Sequence, residues 1–227
     1  MERLWRAWPA RRHGLRVALH LTPCIVAAPP GTCDALVNSA NEQLVGTRFT
    51  PSQAVAALRG GLVYPPQVVD GVVDERGGPA LWRACASVPI DRRGVRCAVG
   101  AAVLTAAAGE LCVSYRAVVH AVAPLYGAPR WSELLRSAFD AAFAEASRAG
   151  LATLAVPLLG AGAKGAPPRE AAAIAAAAIA EWTVRDDEKA GGLREVRLAV
   201  QDESIADVLC ESLDRALRNV RASSEHT

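Results

Sequence analysis

One stretch limits what this chain can fold into more than any other: Leu151 to Ala173, LATLAVPLLGAGAKGAPPREAAA. Its first half, Leu151 to Leu159, is a short unbroken apolar run, the pattern of a strand buried on both faces of a parallel sheet. Gly160, Gly162 and Gly165 follow at once, and Pro167 and Pro168 then precede an Ala-rich helix with Glu170 in its first turn. A strand, a loop almost without side chains and a helix N-terminus aim unpaired N–H groups at one point, a geometry that binds phosphate or pyrophosphate. The same residues also fit an ordinary tight turn between strand and helix.

The chain of 227 residues is long enough for one domain with its own core. Its net charge of +2 argues against a strongly basic binder of phosphate backbones. The cysteines Cys24, Cys33, Cys85, Cys97, Cys112 and Cys210 form no CxxC pair and no Cys/His cluster, so neither a zinc site nor a disulfide framework is expected. No apolar run reaches the roughly 18 residues that a membrane span needs. A soluble protein of the cytoplasm or nucleus is expected, with no metal and no cofactor. The start, MERLWRAWPARRHGLRVALH, is Arg-rich and acid-poor but lacks serine, half of an organelle presequence. We read residues 1–14 as a solvated basic arm.

From Leu15 the alternation LRVALHL predicts an edge strand, and Val26 to Thr32 a Pro-rich loop. A β-prone run from Ala35 to Val37 passes into Asn38 and Asn41. Amides at the carboxyl end of a strand stand where open α/β sheets bind ligands; equally, they could cap a turn and a following helix. Residues 47–67 read as a surface insertion containing a short helix, Ser52 to Leu58. Val69 to Gly78 reads as turn-rich and leads into a helix from Pro79 to Ser87, with a turn at Asp91 to Gly94. Strands are expected at Val103 to Thr105, Arg116 to Pro124 and Glu195 to Val200. Helices are expected from Trp131 to Ala149 (closed by Gly150), from the glycine loop to Trp182, and from Ser204 to Val220 with Ser204 or Asp202 as cap. The result is a three-layer α/β/α sandwich around a central mixed, mostly parallel sheet, spanning residues 15–220, with a frayed tail at 221–227.

Five stretches, in order, resemble the macro-domain family, the modules that bind ADP-ribose. Asp34 to Asn41 (DALVNSAN) resembles VDAIVNAAN, and Val69 to Leu81 (VDGVVDERGGPAL) resembles the VDGAIHRAAGPLL of the MacroD-like hydrolases. Cys97 to Thr105 is similar to CxTGxAxxT, Val118 to Pro124 to VIHTVGP, and Pro157 to Pro167 to PxxSTGxYGFP. The resemblance implies that Asn38, Asn41, Gly71 and the loop Gly160, Ala161, Gly162, Ala163, Lys164 and Gly165 bind the ligand. Asn41 would bond the distal ribose hydroxyls as donor and acceptor at once, and the loop amides would hold the diphosphate. Asp70, together with Asn41, would be catalytic, Asp70 positioning or activating water at the distal ribose. The implied activity is hydrolysis of mono-ADP-ribose from modified proteins or of related ADP-ribose esters, by a monomer whose partner is ADP-ribose or an ADP-ribosylated protein. The alternative is a reader of ADP-ribose, or of another nucleotide or nucleic-acid end, without turnover.

The departures are specific. Val26-Ala27-Ala28 stands where the family carries an adenine-reading aspartate, so weaker discrimination among bases is expected. The glycines ahead of VDG are replaced by the insertion, Asp74 occupies the position of the family's VDGxxH histidine, and Lys164 that of the aromatic over the distal ribose. Among other readings, Gly160-x-Gly162-x-x-Gly165 fits a dinucleotide fingerprint, but the acid expected at the end of the next strand is missing. No G-x-S-x-G elbow is present, and His120, inside an apolar strand, reads as a satisfied core histidine.

Overall fold

A computed structural model describes residues 2–10, 14–47, 68–185 and 192–224. The expected helix from Ser52 to Leu58, and all of the expected insertion except its first residue, lie outside the described residues. Among the described residues seven strands form one sheet: β1 (Arg3–Trp8), β2 (Arg16–Leu21), β3 (Ala35–Ser39), β4 (Ala102–Ala106), β5 (Ala117–Ala121), β6 (Thr153–Pro157) and β7 (Glu195–Val200), in the order β1-β2-β7-β6-β3-β5-β4. The five inner strands run parallel, and β1 and β4 close the two edges antiparallel.

Each inner strand carries apolar side chains on both faces because both faces are covered. In β3 and β5, Val37 and Val119 join the core under helices α2 (Trp131–Arg148), α3 (Pro168–Trp182) and α4 (Glu203–Ser224), with Phe139, Phe143, Ile179 and Leu213. Leu36 and Val118 point to the other face, where Val73, Leu81 and Cys85 of α1 (Val69–Ser87) meet Leu111 and Tyr115. The sandwich expected from the sequence is therefore the fold found. It rests on unequal layers, three helices on one side and, among the described residues, one helix and two 3-10 turns on the other.

Three local expectations need correction. Residues 1–14 are not an arm throughout: Arg3–Trp8 pairs with β2, so Arg16–Leu21 is an inner strand and not an edge. Trp8 is buried and its Nε1 donates to Asp214 of α4 at 2.8 Å, while Arg3 and Arg6 pair with Glu203 and Asp214. Acids on α4, far along the chain, thus turn a basic stretch into an edge strand. The glycine-rich segment from Val69 is helical up to a kink at Gly78 (φ 55°, ψ −159°), after which Pro79 restarts the helix. Val72 and Val73 supply the apolar face that makes those turns worth forming, a tertiary gain that outweighs glycine's poor helix propensity. Finally, α4 begins at Glu203 with Asp202 Oδ1 accepting the Ser204 and Ile205 amides, and it extends beyond Val220 to Ser224.

Candidate functional site

The parallel strands all end on the same side, and their carboxyl ends frame a cleft of about 390 Å³. That size is in the range of small-molecule sites, and the position is the one such sheets use. Its walls come from the residues after β2 (Thr22, Ile25), from the end of β3 and just past it (Ser39 to Asn41), after β6 (Leu158 and Gly160 to Lys164) and after β7 (Gln201, Asp202), with Val68 and the first residues of α1, Val69 and Asp70.

The glycine loop has the shape its composition implied. Gly160 and Gly165 take left-handed angles (φ 84° and 79°), and the loop closes on itself through Gly165 N–H to Gly162 O at 2.9 Å and Ala166 N–H to Gly160 O at 3.0 Å. The amides of Gly160, Gly162 and Ala163 take no acceptor among the described residues and stand on the cleft wall. Gly165 serves differently from expectation: its N–H is spent inside the turn and it does not line the cleft. Lys164 does line it, and its charge bears on Asp70.

Across the cleft Asp70 is held by both asparagines. Asn38 Nδ2 donates to its Oδ1 at 2.8 Å and Asn41 Nδ2 donates to its Oδ2 at 3.0 Å. Burial raises the Asp70 carboxyl to about 6, with the nearby Asp74 adding to the rise, against the two amides and Lys164, which favour the charged form. A carboxylate tuned toward neutral pH, with each oxygen oriented by an amide, is equipped to act as a base.

Asn41 stands on the cleft wall, but its amide is engaged: Nδ2 also donates to Gly46 O at 2.7 Å, and Oδ1 accepts from Val45 N–H at 3.2 Å. Its amide therefore braces Asp70 and the Asn41–Gly46 turn, where the sequence suggested free amide edges for a ribose. Asn38 lies behind Asp70 and away from the cleft, 2% exposed, because it occupies the β3 position that faces α1. Gly71 is buried in the first turn of α1 and does not line the cleft. Gly46 matters more than its neighbourhood suggested: it is left-handed (φ 59°), and a Cβ there would lie 2.4 Å from Cβ and Cγ of Asp74.

Sequence reasoning missed Thr22, Ile25, Gln201 and Asp202. Asp202 brings to that end of the cleft an acid that Val26-Ala27-Ala28 lacks, from another strand altogether. The signal was available in principle, since the residues just past every parallel strand are candidates once the strands are known.

The macro-domain family model matches residues 37–175. The chain belongs to the macro-domain family. A macro domain-containing protein of Streptomyces nogalater is 33% identical over 184 residues, covering 81% of this chain and 86% of that one. An O-acetyl-ADP-ribose deacetylase of Citrobacter koseri is 33% identical over 156 residues, 68% of this chain and 75% of that protein. The Oceanobacillus iheyensis macrodomain with ADP superposes with a TM-score of 0.72 at 20% identity, covering 94% and 98% of the two chains. The matched range runs from β3 through α1 to α3 and so takes in Asn41, Asp70 and the glycine loop.

Proposed function

We propose that this macro domain binds ADP-ribose in the cleft and hydrolyses mono-ADP-ribose from modified proteins, or a related ADP-ribose ester. The observation that carries the reading is the opposition of two features across one cleft: the amides of Gly160, Gly162 and Ala163, which take no acceptor among the described residues, and a carboxylate clamped by two amides at Asp70. The amides bind the diphosphate, and Gly162, which has no Cβ, leaves the chain bare on that wall. Lys164 adds positive charge at the same wall. Asp70 accepts a proton from a water whose oxygen attacks either the distal ribose carbon, so that the bond from that carbon to the modified side chain breaks and the side chain departs, or the ester carbonyl, so that the acyl–oxygen bond breaks, the ribose oxygen departs and the acid is released; the leaving group takes up the proton from Asp70. The likeness to the O-acetyl-ADP-ribose deacetylase and to macrodomain structures with ADP supports this reading.

A non-catalytic reader is favoured by one observation, the engagement of the Asn41 amide with Gly46 and Asp70 instead of an open edge. Asp70→Ala separates the two. For the hydrolase, the variant loses at least a hundredfold of the release of ADP-ribose from a modified protein, the usual scale for a general base, while calorimetric titration with ADP-ribose still shows binding. Undiminished release, or none from the unaltered protein, leaves the reader. Asn41→Ala should weaken binding in either case, because it loosens both Asp70 and the turn to Gly46.

A further inference from the structure

The buried network behind Asp70 ends on a histidine to which no role in the site has been given. In the parallel pairing of β3 and β5, Asn38 lies beside His120, and both face α1. Each is 2% exposed. The Asn38 Nδ2 group is 2.8 Å from Asp70 Oδ1 and 3.2 Å from His120 Nδ1. An amide NH₂ carries two hydrogens and no acceptor lone pair, so one N–H goes to each neighbour and His120 Nδ1 is the acceptor. The ring proton is then on Nε2, which faces Thr105 Oγ1 at 3.0 Å and Cys85 Sγ at 3.7 Å.

We propose that His120 is a positioning residue for Asp70: its Nδ1 lone pair fixes the Asn38 amide in the orientation that presents an N–H to the carboxylate. Asn38 Oδ1 is buried without a hydrogen-bond partner among the described residues, so the carbonyl does not set that orientation. The two acceptors on the nitrogen side set it. A flipped amide would turn its oxygen toward both the carboxylate and the imidazole lone pair, and both contacts would be repulsive. A protonated imidazole would put N–H against N–H and drive that flip. Thr105 and Cys85 touch the ring, and Leu44, Val73 and Leu81 line the same small chamber; the acids that face it, Asp70 and Asp74 on α1, would favour the charged ring, and burial acts against them. Burial alone lowers His120 to about 4.

The inference rests on Asp70 being the reacting carboxylate, but its test does not need turnover. In the unaltered protein, nitrogen NMR should show Nδ1 bare and Nε2 protonated from pH 8 to about pH 5; the opposite tautomer would overturn the proposal, whatever the variants do. His120→Asn keeps an acceptor on the Asn38 side, and His120→Leu removes it. Carbon NMR of the Asp70 carboxyl should find its midpoint little changed in His120→Asn. In His120→Leu it should rise by about one pH unit, a tenfold change in ionisation, because a bond to the charged form is lost. An unmoved midpoint in folded His120→Leu would make His120 a core residue only. If the unaltered protein releases ADP-ribose, His120→Leu lowers kcat and leaves ADP-ribose affinity intact. If it releases none, the hydrolytic reading fails, and the tautomer and the midpoint still decide the role of His120.

Discussion

Asp70 and His120 are displaced from their ordinary ionisation in opposite directions, and burial is the main cause in both. For Asp70 the folded midpoint, about 6, lies above the unfolded one, so its contribution to stability is full below about pH 4 and is lost as pH rises through 6. For His120 the folded midpoint, about 4, lies below the unfolded value of 6.5, so its contribution is present above 6.5 and is lost as pH falls toward 4. Between those limits the folded protein holds a proton on Asp70 while the unfolded chain holds one on His120, and the two slopes oppose. Asp70→Asn removes one of them. Its unfolding free energy should therefore fall more steeply than that of the unaltered protein between pH 6.5 and 4, which urea titrations along that range would measure. The same midpoint sets the activity profile: release of ADP-ribose should rise with pH through about 6 as Asp70 ionises, and a flat profile from pH 5 to 8 would exclude it as the base. Ionised Asp70 at neutral pH thus costs stability, which fits the proposed role as a base.

At the scale of elements, α1 places Asp70, and its kink is set from outside. Gly109 (φ 57°) opens the 3-10 turn Gly109–Val113 directly against that kink, where a Cβ would stand 2.4 Å from Arg76 O and 2.8 Å from Gly77 O. Both contacts are with backbone, which cannot swing aside. Gly109→Ala should cost on the order of 2 kcal/mol or more, combining the left-handed strain with the clash. It should also weaken ADP-ribose binding, since the displaced turn pushes the half of α1 that carries Asp70; thermal unfolding and calorimetry together would check both. Elements whose apolar residues follow one period were legible in the sequence: Glu195–Val200 is β7 as read, and Leu135, Phe139, Ala142 and Phe143 form the buried stripe of α2. The first half of α1 was not, because Gly71, Gly77 and Gly78 mimic a turn locally and only packing against β3 and the 3-10 turns makes the segment helical. Asn38 and Asn41 were visible as amides at a strand end. Their shared hold on Asp70 was not, since it joins residues 32 and 29 positions apart.

Across the whole molecule, the cleft is walled by residues from Thr22 to Ile205, so a bound ligand ties together strand ends and helix N-termini that the sheet alone holds apart. A ligand that binds only the folded state adds RT ln(1 + [L]/Kd), about 2.7 kcal/mol at a hundred times Kd. ADP-ribose at that excess should raise Tm by several degrees, and Asp70→Ala should keep most of the rise if diphosphate contacts dominate. The layered plan was readable from alternating strands and helices. The order of strands was not, since neither the β1–β2 pairing nor the insertion of β7 and β6 between β2 and β3 leaves a local trace. The pairing of β1 has a practical consequence for anyone shortening this chain. Trimming Arg3–Trp8 as a dispensable leader would bare the hydrogen-bonding rim of β2, whose Val17, Ala18 and Leu19 are apolar and at most 1% exposed, and leave Asp214 without Trp8 and Arg6. The shortened protein would carry an adhesive margin, and it would be expected to self-associate more than the longer one.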